Sequence, residues 1–255
     1  MRSLLLALYS ACVYVFFLAV FVYAIAFVEG VGVPKTIDSG PASGLLAALA
    51  VDAALLSLFA LQHTVMARPT FKRAWTKVIP AEAERSTFVL CASLALGLLV
   101  WQWRPMPALV WSVEAPVWSA MLLAVSWAGW ALLLASTFLI SHFQLFGLSQ
   151  GFARMLKQTP EEMAFVTPLF YRWIRHPLYL GFILAFWAAP RMSLGHLVFA
   201  IATTGYILVG IWFEERDLVA HFGQRYLVYR QSVGMLFPRL RAPGAPRGLD
   251  APRAR

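Results

Sequence analysis

Six apolar runs divide the chain, at residues 4–28, 44–66, 86–103, 117–140, 176–189 and 194–213. A helix rises about 1.5 Å per residue, so roughly 20 apolar residues cross about 30 Å of hydrocarbon. Five runs reach about that length, and the run at 176–189 is short for a crossing. None alternates apolar and polar positions in the manner of a barrel strand. The pattern predicts an all-α, polytopic membrane bundle of about six transmembrane helices, or five if the short arm does not pass through. Residues 190–193, Pro-Arg-Met-Ser, read as a tight turn joining the last two runs into a helical hairpin.

The polar intervals organise the rest. Residues 29–43 are a Gly- and Pro-rich loop, 67–85 a basic amphipathic connector, and 104–116 a loop punctuated by three prolines. Residues 141–175 form the longest interval. This suggests an N-terminal four-helix membrane part over 1–140, a ligand-binding part with the hairpin over 141–240, and a disordered basic tail over 241–255. No small-residue cleavage site follows the first run, so it is read as a retained anchor.

Composition agrees. Of 255 residues, 60% are hydrophobic and 13% charged, against about half and a quarter in a soluble domain. The net charge of +9 is read as loops facing anionic lipid rather than as a nucleic-acid surface. With the N-terminus inside, 18 of the 21 Lys and Arg fall on cytoplasmic segments. Both termini and the 141–175 interval are then cytoplasmic. Cys12 and Cys91 lie inside apolar runs and are expected as small buried side chains, and no Cys or His spacing suits a metal.

Two polar clusters flank the hairpin. The first is Tyr171-Arg172-Trp173-Ile174-Arg175-His176-Pro177-Leu178-Tyr179-Leu180-Gly181. Pro177 suits the first turn of a helix, which puts His176 at its N-terminus, where free amides favour an anion. The second is Glu214-Glu215-Arg216-Asp217. Adjacent carboxylates repel, so a cation is expected beside them. An interfacial aromatic-and-basic belt and a salt-bridged helix end are the plain alternatives. Together the clusters suit a zwitterionic ligand with an aromatic base, such as S-adenosylmethionine.

The clusters also carry a resemblance. Arg175-His176-Pro177-x-Tyr179-x-Gly181, then Glu214-Glu215, then Phe222-Gly223-x-x-Tyr226-x-x-Tyr229, resemble the isoprenylcysteine carboxyl methyltransferase superfamily. Residues 61–69, 71–73, 84–87, 101–105 and 141–148 further resemble its bacterial methanethiol S-methyltransferases, close to the NnrU-type membrane proteins. The resemblance implies methylation of a small volatile thiol, methanethiol, to dimethyl sulfide, with S-adenosylmethionine as donor, in a bacterial inner membrane. It places donor contacts on Met163, Ala164, Phe165, Val166, Tyr171, His176, Pro177, Leu178, Tyr179 and Glu214. Gly210 stands near the place of the carboxyl methyltransferases' lipid-substrate arginine, which argues against a prenylcysteine carboxylate.

A thiol attacks as thiolate, so a proton acceptor is expected. His142 and His63 are the candidates for base or relay, Arg175 or Arg172 for stabilising the thiolate, and Glu215 for sharing donor binding or acting as base. Phe143, Phe146 and Trp173 are candidate pocket walls. The alternatives are a related methyltransferase acting on another thiol or a carboxylate, a sterol-type NADPH reductase, and a non-catalytic membrane component of nitrogen-oxide metabolism.

Overall fold

The computed structural model describes residues 2–153, 155–156 and 165–239. The order of elements is α1 (Arg2–Glu29), α2 (Leu45–Ala67), α3 (Pro69–Trp75), α4 (Ala81–Gln102), β1 (Leu109–Ser112), α5 (Pro116–Ile140), α6 (His142–Leu145), α7 (Leu148–Ala153), a 3₁₀ turn (Leu169–Arg172), α8 (Pro177–Trp187), β2 (Arg191–Ser193), α9 (Leu194–Phe222) and α10 (Gln224–Ser232). Among the described residues, α1, α2, α4, α5 and α9 are long and apolar enough to cross a membrane. The chain is an integral membrane protein.

Helix α4 packs against both α1 and α2, α5 pairs with α8, and α8 and α2 each contact α9. The main core gathers Phe27, Leu55, Leu99, Trp103, Trp130, Leu133, Phe186 and Phe199 from six helices and the loop after α4. Helices α5 and α8 approach each other closely. A Cβ at Gly129 would meet the Gly181 carbonyl at 2.6 Å, and one at Gly181 would meet the Gly129 carbonyl at 2.6 Å. Small residues let backbones touch where hydrophobic transfer gives helices no preference for each other over lipid.

Helix α8 is only 11 residues, about 16 Å. Beyond a short link, residues 191–193 run extended at about 3.3 Å per residue. The tight turn expected at 190–193 is instead strand β2, antiparallel to β1. The apolar Leu109-Val110-Trp111 lies in what reads as a proline-punctuated loop, and it is too short to register as an element of its own. Pairing satisfies the backbone there: the Val113 N–H donates to the Pro190 carbonyl and the Leu194 N–H to the Ala108 carbonyl.

Other boundaries move for local reasons. The third span begins at Ala81 rather than 86, because Glu82 and Glu84 sit favourably in a helical first turn. The connector at 67–85 contains α3, opened by Pro69. Helix α9 continues past residue 213 through the acidic cluster, because Glu, Arg and Leu sustain a helix. It stops at Gly223, whose φ of +56° an L side chain resists. The tail over 241–255 lies outside the described residues.

Gly181→Val should lower the unfolding midpoint of the detergent-solubilised protein, at a cost of about 1–3 kcal/mol or more from overpacking. Gly205→Ala, where an added Cβ meets nothing within 4 Å, should leave the midpoint unchanged or raise it. Equal effects of the two would contradict the close α5–α8 contact.

Candidate functional site

Pro177 opens α8, and His176 is its N-cap residue. The segment just before is held by the one just after α10. The Arg175 N–H donates to the Gly234 carbonyl at 2.8 Å, and the His176 N–H to the Met235 carbonyl at 3.1 Å. Gly234 is required sterically, since a Cβ there would lie 1.7 Å from the Phe237 carbonyl oxygen.

The Arg175 guanidinium is buried and fully engaged. Its Nε donates to Glu215 Oε1 at 2.7 Å, and Nη2 lies 2.7 Å from the same oxygen. Its Nη1 donates to the carbonyls of Arg230 at 3.0 Å and Val233 at 2.5 Å. Glu215 also accepts from His176 Nε2 at 3.1 Å, and Arg230 Nη1 lies 3.9 Å from its second oxygen. One carboxylate thus ties α9 to the start of α8 and the end of α10.

Its neighbour is used differently. Glu214 has a side chain 43% exposed, against 14% for Glu215, and lies 4.0 Å from His176 Nδ1. The Tyr179 hydroxyl also interacts with it. Glu214 therefore keeps accepting capacity for a cation. Beside it the Tyr229 hydroxyl donates to the Tyr171 carbonyl at 2.5 Å. The Tyr226 hydroxyl is buried and has no partner among the described residues. Burial raises the pKa of Tyr171, Tyr226 and Tyr229; Glu214 adds to the shift at Tyr171, and Glu215 at Tyr226 and Tyr229. The three phenols remain neutral donors.

The other expected residues separate. Phe165 packs on Phe222, Tyr226 and Tyr229 beneath the Arg225 guanidinium, at the rim of this cluster. Val166 is exposed, and Leu178 packs against the main core. Met163 and Ala164 lie outside the described residues. His142 is buried on α6 with both nitrogens engaged. Thr137 donates its hydroxyl hydrogen to the Leu134 carbonyl, so it accepts from His142 Nδ1 at 2.8 Å; Nε2 then accepts from the Tyr14 hydroxyl at 2.7 Å. Burial lowers the His142 pKa, which keeps the imidazole neutral. Phe143 and Phe146 pack around the same Tyr14–His142 joint, and Trp173 is exposed.

His63 differs. Its Nδ1 is shut off from solvent and has no hydrogen-bond partner among the described residues. The ring lies among Phe59, Phe88 and Tyr206, at centroid distances of 5.4, 4.8 and 6.5 Å. Tyr206 links this pocket to the main cluster: its hydroxyl lies 3.3 Å from the Thr64 hydroxyl on α2, and it faces Tyr179 on α8. Arg68, at the end of α2, pairs with Asp217 at 3.4 Å and stacks over Phe213.

Sequence reasoning missed Gly234, Arg230 and Tyr206. Gly234 follows no recognisable turn signal, and Arg230 acts largely through its carbonyl. Tyr206 sits alone in an apolar run. Tyr226 and Tyr229 had a signal, since a spacing of three puts them on one helix face.

No family model matches the chain, and no solved structure matches it. Among curated proteins, it is 51% identical to the methanethiol S-methyltransferase of Mycobacterium tuberculosis, over 93% of this chain and 98% of that one. It is 51% identical to the methanethiol S-methyltransferase of Pseudomonas deceptionensis, over 86% and 84%. It is 49% identical to methanethiol S-methyltransferase 2 of Bradyrhizobium diazoefficiens, over 98% of both.

Glu215→Ala should lower stability by about 3–5 kcal/mol, because it strands the Arg175 charge in the interior. Arg175→Lys should also lower the unfolding midpoint, since one ammonium cannot span a carboxylate and two carbonyls. Denaturant unfolding in detergent measures both, and unchanged midpoints would refute the clamp.

Proposed function

The chain belongs to the methanethiol S-methyltransferase family, and on that premise we propose that it methylates methanethiol to dimethyl sulfide with S-adenosylmethionine as donor. The observation that carries this reading is the pairing of a committed carboxylate, Glu215, with an available one, Glu214, at the His176 cap of α8. The residues fit the donor. Glu214 offers a carboxylate for its ammonium, and the orphaned Tyr226 hydroxyl offers a polar contact. The faces of Tyr171 and Tyr179 suit a sulfonium. His176, Pro177 and Leu178 form the turn that would hold the nucleoside, with Phe165 and Val166 at its rim. When bound, S-adenosylmethionine supplies an electrophilic methyl group.

The chain's own work is alignment and exclusion of water. An in-line attack needs the thiol sulfur about 3–3.5 Å from the methyl carbon. Arg175 and Glu215 act here as positioning residues, because their charges are spent on each other and on backbone. His142 likewise holds α1 to α6. A substrate as small as methanethiol needs apolar surroundings more than polar anchors, and the rings of Phe59, Phe88 and Tyr206 around His63 offer them. A sterol-type NADPH reductase is less well served: Arg175 is engaged, and a phosphate would face two glutamates. We place the chain in a bacterial inner membrane with its termini and Arg175 cluster on the cytoplasmic side, where the donor is made. The basic residues at 67–85 and 216–239 support this.

Membranes containing the protein should release dimethyl sulfide into the headspace when given methanethiol and S-adenosylmethionine. Glu214→Ala should weaken donor binding about tenfold to a hundredfold by calorimetry, as expected for a hydrogen bond to a charged group. Unchanged donor affinity in that variant would overturn the site assignment.

A further inference from the structure

Resting on that reading, we infer that His63 accepts the thiol proton through its Nδ1 atom. Four observations place it in that role. Nδ1 is enclosed and has no hydrogen-bond partner among the described residues, whereas buried polar atoms are nearly always paired. The neighbouring Gln62 Oε1 and the Arg68 Nε are unpartnered in the same way. The rings beside His63, from Phe59, Phe88 and Tyr206, surround the imidazole with the apolar faces a methylated sulfur needs. Tyr206 then joins it to Tyr179 and Glu214, where the donor is held. The rival base, His142, has no lone pair to spare.

The step balances simply. The S–H bond of methanethiol breaks, an N–H bond forms at His63 Nδ1, and the electron pair stays on sulfur for the new S–C bond. Arg85 on α4 faces His63, Arg68 lies at the end of α2, and Tyr206 on α9 lies across the imidazole ring.

His63→Asn and His63→Gln test the assignment. Both should bind S-adenosylmethionine with wild-type affinity by calorimetry, which reports an intact fold and donor site. Both should form dimethyl sulfide at least about a hundredfold more slowly near neutral pH, in line with loss of a general base. Their rates should climb about tenfold per pH unit on the alkaline side, as solvent supplies thiolate, while the wild-type rate rises less steeply. A variant within threefold of wild type, a wild-type profile parallel to the variants', or loss of donor binding in both variants would each overturn it. Absence of dimethyl sulfide from the wild-type protein would instead overturn the reaction itself.

Discussion

The structure turns on one buried guanidinium. Arg175 cannot lose its charge, and leaving it unpaired inside a protein would cost several kcal/mol. Its partners come from two places: Glu215 on α9 and the carbonyls of Arg230 and Val233 at the end of α10. Satisfying it forces α9 to run straight through the acidic cluster, forces the chain to double back after α10, and fixes where α8 starts. The backbone bonds from Arg175 and His176 to residues 234 and 235 then complete a small closed ring of chain. Within it His176 is gripped by one carboxylate and offered to the other.

The clamp also divides the labour between two adjacent acids. Successive residues of a helix point about 100° apart, so Glu214 and Glu215 cannot serve the same partner equally. Glu215 turns inward to the guanidinium, and Glu214 is left at the more open face beside Tyr179. Like-charge repulsion between neighbours is relieved because one of them is neutralised by Arg175. Precise alignment for methyl transfer depends on such rigid support, since a misplacement of about 1 Å costs heavily in rate.

Much of this was legible in the chain itself. The five long helices follow from apolar runs of membrane length, and Pro177 marked the start of α8 correctly. The pairing of the Arg-His-Pro turn with the glutamates was legible because both are polar clusters interrupting apolar sequence. What escaped notice was backbone chemistry. Val233, Arg230 and Gly234 contribute carbonyls or the lack of a side chain, and residue identity encodes neither. The β1–β2 pair escaped for a related reason: three or four apolar residues between prolines carry no period long enough to distinguish a strand from a loop. His142 and His63 look equivalent as sequence, each near the end of a span. Only their surroundings separate a satisfied joint from a buried nitrogen without a partner among the described residues.

The end of the bundle away from the clamp is fastened by many small polar ties. Glu29 accepts from Ser126 and Trp130, Asp52 from the Arg104 backbone, and Asp38 from Ser193, while β1 and β2 bind two connections together. The clamped end relies instead on one shared guanidinium and the carbonyls folded around it, so the two ends of the bundle are tied by different means: scattered single knots at one, a single hub at the other.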